Sequence, residues 1–473
     1  MYDDLAPFLT PYADAIALDE GPRVQVKDAA RLRNVVIDHL VDRAVFGDDG
    51  EKAMARWLIW EIAAELGIYP ETMHHLYTAR GKGETPVRFT VPAINCRALT
   101  YDMARAAFAA AQNHGVGLIL FEIARSEIGY TDQRPAEYTA SILAGAIKSG
   151  CAGPVFLQAD HLQVSPSRFK EDAEAEIRAV RSLAVEAVDA GFYNIELDTS
   201  TLVDPEGKSL EEQQYLNYKW CAELAAVIRE RQPDGIEVSI GGEIGEVGGH
   251  NSTEPELRAF MDGFNRALPR GLAGLCKISV QAGTSVGGVV LPDGSIASVA
   301  VDFDTLLQLS RVARQEYELA GVVQHGASTL PEGAFHKFAE NEVCEVHLAT
   351  GFQNILYEHE ALPPELRREM YAYLDEHFSG HRRSGMTDEQ FYYQERRRAL
   401  GPFKRALWSL EEGVRSQLRT AWRQQFAFLF EQLNVCDTVN LARRYAPTGP
   451  RHRPPADFRL PVVVQEDVRD LVD

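Results

Sequence analysis

Between Val91 and Thr350 the chain alternates short, nearly unbroken apolar runs with longer segments whose apolar residues recur every three or four positions. Eight runs carry strand character: VPAIN (91–95), GLILFEI (117–123), PVFLQAD (154–160), NIELDT (194–199), IEVSIGGE (236–243), CKISVQAG (276–283), GVVQHG (321–326) and VCEVHLAT (343–350). Strands covered on both faces read this way, whereas half-exposed antiparallel strands alternate apolar with polar. The segments between them, such as 101–115, 174–191 and 304–321, have helical spacing and stop at glycine, a common helix C-terminal signal. Regular strand–helix alternation predicts a parallel sheet. Eight such units between residues 88 and 357 predict an α/β fold closed into a (β/α)8 TIM barrel.

The flanks read differently. Residues 1–87 and 358–473 are expected to be helical extensions of the barrel. In the first, EKAMARWLIWEIAAELG (51–67) is a helix with Trp57, Trp60 and Ile62 available for burial. In the second, Phe426, Leu429, Phe430 and Leu433 follow i, i+3, i+4, i+7, a stripe suited to core or subunit contact. The last residues, from Arg451, read as an extended tail packed on something.

Composition narrows the functional classes. Of 473 residues 45% are hydrophobic, enough for a sizeable core. A net charge of −21 repels nucleic acid and anionic membrane, so neither is an expected partner. The opening residues lack the basic and apolar regions of a signal peptide, and no apolar run approaches the ~20 residues that span a bilayer. Six scattered cysteines without a CxxC pair suit free thiols in a reducing compartment. The expectation is a cytoplasmic protein, assembled as a homo-oligomer.

In a (β/α)8 barrel the reactive groups collect where strands end and βα loops begin. Here the unusual polar residues do fall at strand ends: Asn95, Glu122, Asp160 with His161, Asp198, Glu243, the GTS at 283–285, His325 with Gly326, and Thr350. Two histidines and several carboxylates at one mouth can hold a divalent cation, with zinc favoured by imidazole. His161 would then be a ligand and Asp160 an acid or base beside it. Taken alone, either histidine reads better as a hydrogen-bonded loop residue; the two at strand ends together favour a metal. The glycine-rich QAGTSVGG (281–288) and HGAST (325–329) offer clustered N–H groups and hydroxyls of the kind that hold phosphate, and fit no nucleotide-binding pattern.

These residues resemble the class II, metal-dependent fructose-bisphosphate and tagatose-bisphosphate aldolase family over roughly residues 88–357. PAINCR is similar to the family's first strand, which implies that Asn95 contacts substrate. QADHL resembles the H-x-D-H signature, implying Asp160 as catalytic acid/base and His161 as a zinc ligand, with Gln158 in place of the first histidine. ELDTS places Asp198 near the metal, and GGEIGEVGG places Glu243 at an alternative metal position, with Gly241 where the family has its first glutamate. HGAST resembles H-G-[GA]-S-G, implying His325 as zinc ligand and Gly326 and Ser328 as phosphate contacts. In the phosphate-binding set the resemblance also places Gly283, Ser285, Gly287 and Thr350.

Three departures stand out. Val286 occupies the position of the third zinc histidine, leaving Glu243, Asp198 or His250 to complete the shell. Asn251 stands where the family has an active-site glutamate, and His347 where it has a substrate-binding asparagine. The resemblance implies a zinc-dependent lyase (Zn2+ or another divalent cation) that reversibly cleaves a phosphorylated ketose such as fructose 1,6-bisphosphate. The alternative is the family's non-catalytic subunit branch, which residues 122–138 and DHL also resemble, acting as a subunit or ligand-binding partner.

Overall fold

The computed structural model describes residues 2–19, 23–245, 250–283, 291, 301–459 and 471. All eight expected strands form: β1 (Val91–Asn95), β2 (Leu120–Ala124), β3 (Gly153–Gln163), β4 (Asn194–Asp198), β5 (Ser239–Glu243), β6 (Lys277–Val280), β7 (Val322–Gln324) and β8 (Glu345–Leu348). Each pairs in parallel with the next, and β8 closes on β1 through registers such as His347 with Ala93. Closure leaves this sheet no edge at β1 or β8, and the result is a (β/α)8 TIM barrel. Helices Thr100–His114, Pro135–Ser149, Ala173–Asp189, Leu210–Arg231, Glu254–Ala267 and Phe303–Tyr317 cover strands from outside. Gly115 ends the first of these in a left-handed conformation (φ 62°), as its sequence position suggests. The sixth stops earlier than glycine would place it, because Glu318 takes the left-handed cap (φ 56°) and its N–H reaches Ala313 O and Arg314 O.

The N-terminal extension is more than a helical appendage. The helix Asp49–Glu65 starts on a capping box between Asp48 and Glu51, and buries Trp57, Trp60 and Ile62. After it, Ile68–Glu71 forms a strand parallel to the lower half of β3, from Ile68 beside Gly153 to Glu71 beside Phe156. β3 is 11 residues long, and β4 pairs only with its upper part, so this extra strand covers an edge that would otherwise be open. The helix His74–Gly81 then closes the barrel floor. There the buried guanidinium of Arg80 donates to the carbonyls of Val87, Phe89, Ala320 and Glu342.

The C-terminal stripe is core: Phe426, Leu429, Phe430 and Leu433 are buried where the helix Glu412–Gln432 packs on Thr100–His114. Trp422 Nε1 donates to Phe352 O at 3.1 Å, and Arg419 pairs with the buried Asp102. The start of the tail is seated on the N-terminal helix, where Trp57 and Trp60 donate to the carbonyls of Arg453 and Arg451. No helix among the described residues is long and apolar enough to cross a membrane.

Candidate active site at the barrel mouth

Successive residues of a strand point to opposite faces, so Asp160 and His161 should not both reach the barrel interior. They do, because β3 carries a bulge. Ala159 pairs with Ile195 and Leu162 with Leu197, three steps on β3 against two on β4. His161 takes up the extra residue with φ 39°, a left-handed backbone that costs a non-glycine residue of order 1–3 kcal/mol. Backbone strain of this size at a strand end is characteristic of functional positions.

The bulge brings four predicted residues around His161. Its Nδ1 lies 3.1 Å from Asp198 Oδ2 and 3.6 Å from Glu243 Oε2, and its Nε2 is 4.0 Å from Asp160 Oδ1. The ring of His325, at the end of β7, lies 4.1 Å away centroid to centroid. All five side chains are buried. His325 Nε2 meets Ser279 Oγ at 3.1 Å, and the buried His161 Nε2 has no hydrogen-bond partner among the described residues. Two groups here have ligand atoms within 4.8 Å of one another: Asp160, His161 and His325, and His161, Asp198 and Glu243.

Electrostatics favours a cation in this space. Among the described residues, six buried carboxylates (Glu122, Asp160, Glu196, Asp198, Glu243, Glu345) surround one buried ammonium, Lys277, and two imidazoles, His161 and His347. Despite burial these imidazoles are held well above the usual histidine range by neighbouring carboxylates, Asp160 for His161 and Glu122 for His347. Burial, reinforced by the charge of Asp198, pushes the Glu243 carboxyl well above its usual range. Burial would also raise Asp160, but His161 and His347 outweigh it and hold that carboxyl well below the usual value. Burial and the neighbouring imidazoles of His161 and His347 drive His325 well below the ordinary histidine value, keeping it neutral. A neutral imidazole, an orphaned buried ring nitrogen and surplus carboxylate oxygens fit zinc or another divalent cation.

Below this cluster lies a second layer that the strand-end pattern did not reveal. Lys277 Nζ is 2.5 Å from Glu196 Oε1 and 2.6 Å from Glu345 Oε1, and donates to Gln158 Oε1 at 2.6 Å. Gln158 Nε2 donates in turn to Glu122 (2.8 Å) and Glu345 (2.6 Å). His347 joins the two layers, with Nδ1 3.1 Å from Asp160 Oδ1 and Nε2 2.7 Å from Glu345 Oε1. Its ring is 4.2 Å from that of His325, so a third imidazole does stand in the mouth, supplied by β8. Gly241 has a local reason as well: a Cβ there would sit 2.4 Å from Glu196 Oε1, so β4 places a carboxylate over the glycine. The signal was present in sequence. Lys277, Glu196 and Glu345 are charged residues inside otherwise apolar runs.

The remaining predicted residues distribute as follows. Asn95 Nδ2 donates to Asp160 Oδ2 at 3.0 Å and to Glu127 Oε2 at 2.9 Å, so its amide steadies the carboxylates of the mouth. Gly326 (φ 68°) starts the short turn Ala327–Thr329 after β7; Ser328 Oγ accepts from Ala349 N at 2.7 Å, and Thr350 opens the helix after β8. Gly283 takes φ 88° just past β6, whereas Ser285, Val286 and Gly287 lie outside the described residues. His250 does not complete the cluster: it is exposed and pairs with Glu256 at 2.8 Å. Asn251 donates to Asp302 Oδ2 at 3.2 Å.

Residues 85–399 match the family model for class-II fructose-bisphosphate aldolase. The chain belongs to that family, whose members are lyase-type enzymes and typically metal-dependent. No curated protein matches it in sequence. Among solved structures it is similar to the fructuronate-tagaturonate epimerase UxaE from Cohnella laeviribosi (14% identity, 89% of each chain, TM-score 0.54). It is also similar to a probable tagatose 6 phosphate kinase from Sinorhizobium meliloti 1021 (17% identity, 76% of this chain and 100% of that one, TM-score 0.51). A third likeness is a putative fructose-1,6-biphosphate aldolase from Coccidioides immitis (17% identity, 77% of this chain and 97% of that one, TM-score 0.43).

Proposed function

We propose that the chain is a metal-dependent aldol lyase that reversibly cleaves a carbon–carbon bond of a phosphorylated ketose such as fructose 1,6-bisphosphate. The observation that carries this reading is the bulge in β3, which turns Asp160 and His161 into the same mouth as His325. His161 and His325, with Glu243 and Asp198, would hold zinc or another divalent cation. When bound, the cation supplies electrophilic stabilisation of the negative charge that collects on the ketone oxygen as the bond breaks. Asp160, ionised and held by Asn95, accepts the proton of the hydroxyl on the carbon that becomes the aldehyde and returns it on condensation. Gly326, Ser328 and Thr350, with the segment beginning at Gly283, would receive the phosphate.

One observation favours a second reading. The likeness to the fructuronate-tagaturonate epimerase runs through 89% of each chain, flanks included. The same bond cleavage, followed by re-addition to the other face of a retained aldehyde, inverts one carbinol centre, so a sugar acid would be epimerised instead of split. The test is metal analysis of protein purified without added zinc, followed by product analysis on fructose 1,6-bisphosphate, tagatose 1,6-bisphosphate and fructuronate. The lyase reading expects about one metal per chain, two fragments, and turnover lowered ~10²–10⁴-fold in Asp160→Ala. An epimer without fragments would select the second reading. Neither metal nor turnover, with activity appearing on addition of a catalytic aldolase subunit, would make this chain a non-catalytic subunit.

A further inference from the structure

We infer that His347 is a positioning residue that fixes the Asp160 carboxylate, and is itself anchored to the barrel floor through Glu345. The inference rests on the reading of Asp160 as acid/base. Glu345 and His347 are two residues apart on β8, so both side chains face the barrel interior. The imidazole meets three carboxylates: Nδ1 lies 3.1 Å from Asp160 Oδ1, its hydrogen-bond partner, and 3.3 Å from Glu122 Oε1, and Nε2 lies 2.7 Å from Glu345 Oε1. Glu345 cannot swing away. Lys277 Nζ holds the same Oε1 at 2.6 Å, and the Tyr77 hydroxyl, on the helix that closes the barrel floor, donates to Oε2. Asp160 is gripped on its other oxygen by Asn95 Nδ2. Its two oxygens are therefore held from β1 and β8, which are paired with His347 beside Ala93.

A general base gains from being held in one orientation, because proton transfer requires the acceptor lone pair within hydrogen-bond reach of the substrate hydroxyl. Loss of His347 should therefore lower kcat while leaving substrate binding and the metal intact. Loss of an orienting partner of this kind typically costs about 10–100-fold. Residues that act as one unit should also be non-additive.

The experiment uses His347→Ala, His347→Asn, Glu345→Gln and the His347→Ala/Glu345→Gln pair in the metal-loaded full-length protein. Metal content, kcat and KM on fructose 1,6-bisphosphate are measured, together with crystal structures of His347→Ala and His347→Asn. The expected result is a kcat about 10–100-fold lower in His347→Ala, with KM and metal content unchanged. His347→Asn, which retains a donor near the Nδ1 position, should recover part of that loss, and the pair should be no worse than His347→Ala alone. The crystals should show the Asp160 carboxylate in a second rotamer. An unmoved Asp160 with unchanged kcat would overturn the inference, as would loss of the metal in His347→Asn, which would make His347 a ligand. Full turnover in Asp160→Ala would instead overturn the proposed function, whatever the His347 variants do.

Discussion

Lys277→Met is the most informative single perturbation of the barrel interior. The methionine keeps the length of the stem and removes the charge. In the native chain the ammonium is buried between Glu196 and Glu345, at 2.5 and 2.6 Å. Burial alone would drive this lysine toward neutrality, but the two carboxylates outweigh it and hold the ammonium above the usual lysine range. At an effective dielectric of about 20, each of those contacts is worth about 6 kcal/mol of attraction, offset by several kcal/mol of desolvation for each ion. Removing the cation strands the buried Glu196 carboxylate and leaves Glu345 with only His347, Gln158 and Tyr77, which typically costs about 3–5 kcal/mol. That is a large share of the ~5–15 kcal/mol by which domains are stable. The assay is urea unfolding followed by circular dichroism, with Lys277→Met/Glu345→Gln as the partner variant. The double variant should regain part of the loss, because it removes one stranded charge together with the cation. A loss below about 1 kcal/mol in Lys277→Met, with no coupling to Glu345, would refute the view that this ion cluster holds the barrel interior together.

Two further outcomes are expected. Gly241→Ala places a methyl 2.4 Å from Glu196 Oε1 and should destabilise by about 1–3 kcal/mol in thermal or urea unfolding; a neutral effect would mean that Glu196 does not lie over that glycine. His74, buried on the floor helix, is depressed to about 3, chiefly by burial and then by the charge of Arg229. Glu237 lies 3.5 Å from its Nε2, but that carboxylate is 37% exposed and its charge is screened. A depressed folded-state value means the unfolded chain takes the proton first. Stability is therefore full above about 6.5 and falls by about 1.4 kcal/mol per pH unit from there toward 3. Unfolding free energies from urea across this range should fall more steeply with acid in the wild-type protein than in His74→Gln, the difference approaching that slope; equal slopes would exclude His74 as a contributor.

The barrel was legible because its strands are covered on both faces and therefore read as apolar runs, each placed correctly to within a few residues. The mouth was legible for a related reason. Asp160, His161, Asp198, Glu243 and His325 are polar groups at the ends of such runs, and strand ends of a closed barrel share one rim. What pattern could not show was how Asp160 and its neighbour His161 both turn inward, since a bulge changes pairing without changing composition. The floor layer was missed because Lys277, Glu196 and Glu345 lie inside strands, where a single charged letter is outvoted by its apolar neighbours. The strand Ile68–Glu71 was missed too: IYPE is short and contains a proline, and it forms only because the lower half of β3 offers it an edge. His347 was noticed as a departure, but its distance to both Asp160 and Glu345 depends on the β8–β1 register, which no local reading supplies.

The direct test of a shared metal site is anomalous diffraction at the zinc edge, from crystals of the full-length protein grown with zinc. A single strong peak about 2.0–2.1 Å from one nitrogen of His161 and one of His325, with a carboxylate oxygen of Glu243 or Asp198 in the same shell, is the expected result. Zinc bound elsewhere on the chain, or a mouth in which His161 and His325 remain unligated at saturating zinc, would contradict it.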